Sequence, residues 1–209
     1  MVRQERAART RAALVRAAAE EIDRSGYDGT SLNKVVNAAG ISMGALTFHF
    51  STKGELADEV QSQGSRAART VADHATAGSG PALHAVIDLT LGLARLLEED
   101  PVVRSAARLA RERPDGPAWS SAWLPAVHSL LAQAQRDGQL HPAALPETIA
   151  ALVVHLVAGT ETSFRARPAV TEAAGVSTVV QLGKIWQLAL TGISPHATPG
   201  EPPAPHGRP

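Results

Sequence analysis

Residues 30–56, TSLNKVVNAAGISMGALTFHFSTKGEL, are the part of this chain whose local grammar leaves the backbone least freedom. Leu32, Val35, Val36 and Ala39 recur at the spacing of one buried helical stripe. Gly40 follows, a residue that tolerates positive φ and so allows a sharp corner. Ile41 plugs that corner. Ser42 is a good N-cap, because its hydroxyl can accept an orphan backbone N–H. The helix that Ser42 opens is small and thin at Met43, Gly44 and Ala45, then apolar at Leu46, Phe48 and Phe50. Two short helices at such a corner form a helix-turn-helix, whose second helix places its N-terminal part in the DNA major groove. Small residues at that end let the backbone come close to bases and phosphates.

The run from 38 to 56, AAGISMGALTFHFSTKGEL, resembles the DNA-binding signature of the TetR family of dimeric, ligand-responsive repressors. The resemblance covers the first fifty-odd residues. It combines an amphipathic N-terminal helix, the turn glycine, the capping serine, the His49–Phe50 pair and the Lys that follows. The chain departs from the family at Thr47, where a Tyr that touches a phosphate is usual. Thr47 keeps a hydroxyl donor on a shorter side chain.

Bulk properties exclude several alternatives. The 209 residues are 44% hydrophobic, enough for a sizeable core in one large domain or two small ones. There is no Cys, hence no disulfide framework and no thiolate metal site. The N-terminal segment is basic but lacks the apolar stretch of a secretory signal. No apolar run approaches bilayer length. The expectation is a soluble cytoplasmic protein with no membrane association, no cofactor and no metal. The formal net charge is zero, which argues against a non-specific DNA coat. Charge is nonetheless uneven: Arg3, Arg6, Arg9, Arg11 and Arg16 oppose only Glu5 in the first sixteen residues. That basic end fits a local phosphate footprint beside the helix-turn-helix.

The whole chain reads as all-α, with about nine helices and no strand pattern. Helices are predicted over 4–25, the two motif helices, 51–75, 81–99, 100–113, 118–136, 146–165 and 176–191, with a loop at 166–175. The implied division is a helix-turn-helix DNA-binding domain at 1–52, a helical ligand-binding and dimerisation domain at 53–194, and a disordered Pro-rich tail at 195–209. The roles of the C-terminal helices come from the family resemblance.

The DNA-facing candidates are Ser31, Lys34, Ser42, Met43, Gly44, Ala45, Thr47, His49 and Lys53. Leu46 and Phe50 must face the core, which leaves the first of these helix-3 positions for the groove. Few can make the bidentate base contacts of an Arg–guanine pair, so reading leans on apolar contact with thymine methyls, on Lys34 and on DNA shape. The resemblance makes Lys53 and His49 phosphate contacts. His49 is also readable as a structural residue between two buried aromatics, and Ser31 as a cap for helix 2.

A narrower resemblance lies at 102–140. The AARLARE helix, WSSAW and LLAQAQRDGQL look like the butyrolactone-receptor branch of the family, as do GALTFHF and the AGT at 158–160. Members of that branch sense γ-butyrolactones, butenolides or related furans and control antibiotic production. Their pocket holds a Trp on this helix, and Trp123 stands at the matching position. The candidate effector contacts are Trp123, Trp119, Thr160, Glu161 and Gln63. For the tryptophans, plain core packing is the competing reading. The branch tends to carry Gln where this chain has Glu161, and a pocket amide where it has Gly64. A buried Glu161 would need a partner or a proton; it could equally face solvent. His84, His128 and His155 fall on predicted apolar faces, where ordinary packing accounts for them.

Helices 8 and 9 carry more apolar residues than one stripe requires, which suggests a homodimer built through them. Burial within one subunit is the alternative. The resulting reading is a homodimeric repressor on a pseudo-palindromic operator of double-stranded DNA, released by a small effector. An antibiotic or another apolar ligand is the alternative effector. A helical enzyme is a distant third: His155 and Glu161 are six apart, off metal-ligand spacing, and there is no HExxH, nucleophile elbow or Gly-rich phosphate loop.

Overall fold

The computed structural model describes residues 2–165 and 177–195, and nine α-helices without a strand are found among them. The helices are α1 (Val2–Gly29, broken at Gly26, which is non-helical at φ 77° and ψ 175°), α2 (Leu32–Ala39), α3 (Met43–His49), α4 (Lys53–Ala77), α5 (Ala82–Glu99), α6 (Pro101–Glu112), α7 (Leu124–Arg136), α8 (Pro146–Arg165) and α9 (Thr178–Ile193). The predicted loop at 166–175 and all but Pro195 of the predicted tail lie outside the described residues. No helix among the described residues is long and apolar enough to cross a membrane.

Two apolar cores organise these helices. The first joins Leu14, Ile22, Val35, Leu46, Phe50, Leu56 and Val60 from α1 to α4, and takes in Leu109 from α6. The second holds Leu89, Leu93, Leu97, Trp119, Trp123, Leu131, Val153 and Trp186. Each fully buried side chain of this size contributes on the order of 1.5–3 kcal/mol. α4 serves both cores, with Leu56 and Val60 in the first and Ala68 and Ala72 in the second. The sequence boundary at 52/53 therefore falls at the start of a shared helix.

α4 and α6 touch at Gly64. A Cβ there would collide with the Ala106 side chain and stand 2.8 Å from the Val102 carbonyl oxygen. The position that the branch gives to a pocket amide is thus occupied by a helix crossing.

One helix differs from its sequence reading. A single helix is predicted over 118–136, but Trp119–Ala122 is a 3₁₀ turn and the α-helix starts at Leu124. Pro125, in the first turn of α7, has no N–H to extend an α-ladder back into the preceding turn.

Candidate nucleic-acid interface and effector site

The corner between α2 and α3 closes with local bonds. Ser31 caps α2, its Oγ accepting from the Lys34 N–H at 3.3 Å. Gly40 sits in the left-handed region (φ 64°, ψ 31°). The Gly40 N–H donates to the Asn37 carbonyl at 3.3 Å and the Ile41 N–H to the Val36 carbonyl at 3.0 Å, which makes a Schellman ending. Ser42 then caps α3, accepting from the Ala45 N–H at 3.3 Å.

α3 is divided sharply. Leu46 and, just past the helix end, Phe50 are buried in the first core. Ser42, Gly44 and Thr47 are exposed; Met43 and Ala45 are half-buried. The Thr47 hydroxyl donates to the Gly44 carbonyl at 3.1 Å, inside its own helix. Phe48 corrects the sequence reading of His49 as flanked by two buried aromatics: its ring is 78% exposed. It projects from the solvent side of α3, and the half-buried His49 ring lies edge-on to it at 5.1 Å. Phe48 was absent from the sequence-derived DNA set. The signal that could have found it is its offset of two residues from Leu46, which puts it on the other side of a helix.

Both lysines reach back to the end of α1. The Lys34 ammonium donates to the Gly29 carbonyl at 2.8 Å. The Lys53 ammonium donates to the Tyr27 and Thr30 carbonyls at 3.1 and 3.3 Å and lies 4.1 Å from the centre of the Tyr27 ring. The Tyr27 carbonyl also accepts from the Thr30 N–H at 3.2 Å, and the ammonium groups add donors to the carbonyls that gather where this segment ends. On α1, Arg6 and Arg9 are exposed. Arg11 instead pairs with Glu59 of α4 at 2.7 Å and lies over the Phe50 ring at 5.1 Å. The hydrogen bond from Arg11 holds the Glu59 carboxyl down at about 2.

In the second core Trp119 and Trp123 are buried with their rings edge-to-face at 5.8 Å. Among the described residues neither indole N–H has an acceptor, nor has that of Trp186 on α9. Buried donors without partners are uncommon in folded proteins. Thr160 is buried and donates to the Leu156 carbonyl at 2.9 Å. It lines a cavity of about 160 Å³ between α8 and α9 together with Thr178 and Leu182, and Trp123 is not among that cavity's walls.

Of the alternatives for Glu161, the structure takes the paired one: the carboxylate is buried on Arg111 of α6, with a second nitrogen-to-oxygen contact of 2.7 Å completing a fork. That bond raises the Arg111 pKa. Gln63 donates to Glu59 at 2.8 Å and belongs to the α1–α4 junction. The buried amide nearby is Gln61, which donates to the Pro117 carbonyl at 2.9 Å just ahead of the tryptophan turn. A larger cavity, about 780 Å³, lies apart between α4 and α5, with Val71, His74, His84, Asp88 and Leu89 on its walls. Among the described residues no cluster of three or more acidic or histidine side chains could hold a metal ion.

Comparison with known proteins agrees with this geometry. Residues 14–60 match the family model of bacterial regulatory proteins, tetR family. The A-factor receptor protein of Streptomyces griseus is 24% identical over 196 residues, which span 93% of this chain and 67% of the receptor. A crystal structure of an ArpA-like gamma-butyrolactone receptor superposes with a TM-score of 0.76 at 31% identity, covering 91% of both chains. CprB of Streptomyces coelicolor, seen in complex with its operator sequence, superposes with a TM-score of 0.76 at 34% identity over 91% of both chains.

Proposed function

We infer the function from one premise: this chain belongs to the tetR family of bacterial regulatory proteins, on the branch of the gamma-butyrolactone receptors. It is a DNA-binding regulator and not an enzyme. The finer reading is ours. Two copies bind a pseudo-palindromic operator in the bacterial cytoplasm, and a small lactone, butenolide or furan releases them, switching on genes for a secondary metabolite. The observation that carries this reading is the division of α3, with Leu46 buried beneath and Ser42, Gly44, Thr47 and Phe48 exposed above.

Phe48 joins the DNA-facing set. An exposed ring costs solvation unless something covers it, and a thymine methyl or a deoxyribose face would. Met43, Ala45 and His49 stay in that set on the same helix, as do Ser31, Lys34 and Lys53 around it. Phosphate contact by the two lysines competes with their hold on the α1 carbonyls.

Dimerisation through α8 and α9 is supported by the apolar side chains that α9 leaves open. Val180 is 52% and Leu188 74% exposed, and Ile185 is partly so. Such a patch on one helix is what a self-complementary twofold interface would cover. For the effector, the orphan N–H groups of Trp119 and Trp123 are donors in search of an acceptor, and a lactone carbonyl is an acceptor of the right kind. Thr160 and Glu161 stand on α8, but Glu161 is already engaged by Arg111.

A gel shift on the DNA upstream of the gene tests the reading. A retarded band should dissolve when a γ-butyrolactone is added at micromolar concentration and persist with an unrelated apolar antibiotic. No band with duplex DNA, from a protein shown to be dimeric, would remove the repressor reading; a band dissolved by the antibiotic alone would remove the lactone.

A further inference from the structure

Arg104, in the first turn of α6, joins four helices with one side chain. Its Nε donates to the Asp23 carboxylate of α1 at 2.7 Å. Its Nη1 donates to the Leu97 and Glu98 carbonyls at the end of α5, both at 3.0 Å. Its guanidinium lies 4.4 Å from the centre of the Phe164 ring, near the end of α8. The side chain is 11% exposed. The same turn of α5 holds α9, because the Glu98 carboxylate accepts from the Ser177 hydroxyl at 2.8 Å and the Thr178 N–H at 2.5 Å. Beside Arg104, the Ser105 hydroxyl donates to the Ala19 carbonyl at 2.6 Å and Arg108 donates to the Asp23 carbonyl at 2.9 Å. The helices that would form the twofold interface are thereby connected, through the last turn of α5 and one planar fork, to the helix that carries the DNA-reading head.

We propose that Arg104 is a positioning residue: it fixes the angle of the reading head against α8 and α9, and so sets which half-site separation the dimer accepts. This rests on the dimeric repressor reading above. A planar guanidinium held through Nε, Nη1 and the ring is a stiff joint, whereas an ammonium on a flexible stem offers no fixed plane of donors to set an angle. Paired reading helices sit about 34–36 Å apart, and one base pair shifts a half-site by about 3.4 Å. A small tilt at the junction of each head therefore changes the register that fits. A side chain that only stabilised the fold would lower stability and leave the preferred separation alone.

The test uses the full-length protein. Operators are selected from a random duplex pool. Affinities are then measured for the selected half-sites at their own separation and at separations one base pair shorter and longer. Wild type should favour its own separation at least about tenfold, a difference of one decade in dissociation constant. Arg104→Gln should bind an isolated half-site as wild type does, yet hold the separation preference to within about threefold. Arg104→Lys should not restore it. Phe164→Leu, which keeps the ion pair and removes the ring, should fall between. Should Arg104→Gln fail to fold, Phe164→Leu and Asp23→Asn carry the test. An unchanged preference in the folded variants overturns the proposal alone. A dimeric wild type that selects no twofold sequence overturns the repressor reading, and the proposal with it.

Discussion

α3 and α6 are both short helices, and they treat their polar groups in opposite ways. The hydroxyls that border α3 turn inward on the motif: Ser42 caps it and Thr47 bonds within it. Its outer face makes no bond to another helix among the described residues. On α6, Arg104, Ser105, Arg108 and Arg111 all reach other helices. A helix that faces out of the molecule makes its polar bonds within its own turn and leaves that face untied to other helices. A helix that links two cores commits nearly all of it inside. Both depend on the same first core, to which α3 gives Leu46 and α6 gives Leu109.

Cutting that shared core should produce the largest effect. Leu46→Ala removes a fully buried side chain and should cost about 3 kcal/mol, as core truncations of this kind do. Urea unfolding with far-UV detection measures it, and operator binding should be lost together with stability. If binding vanished at unchanged stability, Leu46 would be a DNA contact and the division of α3 would be wrong. Ser105→Ala on α6 should cost about 1.5 kcal/mol by stripping a buried hydroxyl from the Ala19 carbonyl. An equal loss of stability from Thr47→Ala, whose hydroxyl is exposed, would erase the contrast between the two helices.

The joint between α1 and α4 tests the contrast through pH. Glu59 is held at about 2 by Arg11, below the ordinary carboxylate value of 4.5. The folded state therefore binds that proton less readily than the unfolded chain does. The resulting stability is fully present above about pH 4.5 and is lost as pH falls through the folded value near 2. Arg11 is partly solvated, so screening should reduce the pair to about 1 kcal/mol. Denaturant melts at pH 7, 4.5 and 2.5 should show the decline, and Glu59→Gln should flatten it by that amount. A variant with the same slope as wild type would place the acid sensitivity elsewhere.

What could be read from the sequence follows how far apart the interacting residues lie. The corner of the head was legible because its caps and its glycine bond within five residues of one another. The helix boundaries were legible to within a few residues for the same reason. Pro125 is a local signal against one long helix over 118–136. Phe50 lies beyond the end of α3, so the apparent alternation of 46, 48 and 50 mixes helical and extended backbone and hides the outward Phe48. The ties of α6 were invisible: Asp23 and Arg104 are 81 residues apart, and no pattern along a chain announces such a pair. Glu161 and Arg111 are likewise 50 residues apart.

Lys53 offers the smallest and most discriminating measurement. If its ammonium meets a phosphate, Lys53→Ala should weaken binding to all duplexes alike and shallow the salt dependence of affinity by about one unit of log–log slope. The ammonium also caps the end of α1 through the Tyr27 and Thr30 carbonyls. Capping bonds at a helix end contribute a few tenths to about 1 kcal/mol, so the same variant should lose a little stability. Lys53→Gln separates the two roles, since its amide can still donate to a carbonyl but carries no charge. Stability close to wild type with a shallower salt slope assigns the charge to DNA. A full slope in both variants, with reduced stability in Lys53→Ala, leaves Lys53 as a helix cap and moves the phosphate footprint to the exposed Arg6 and Arg9 of α1.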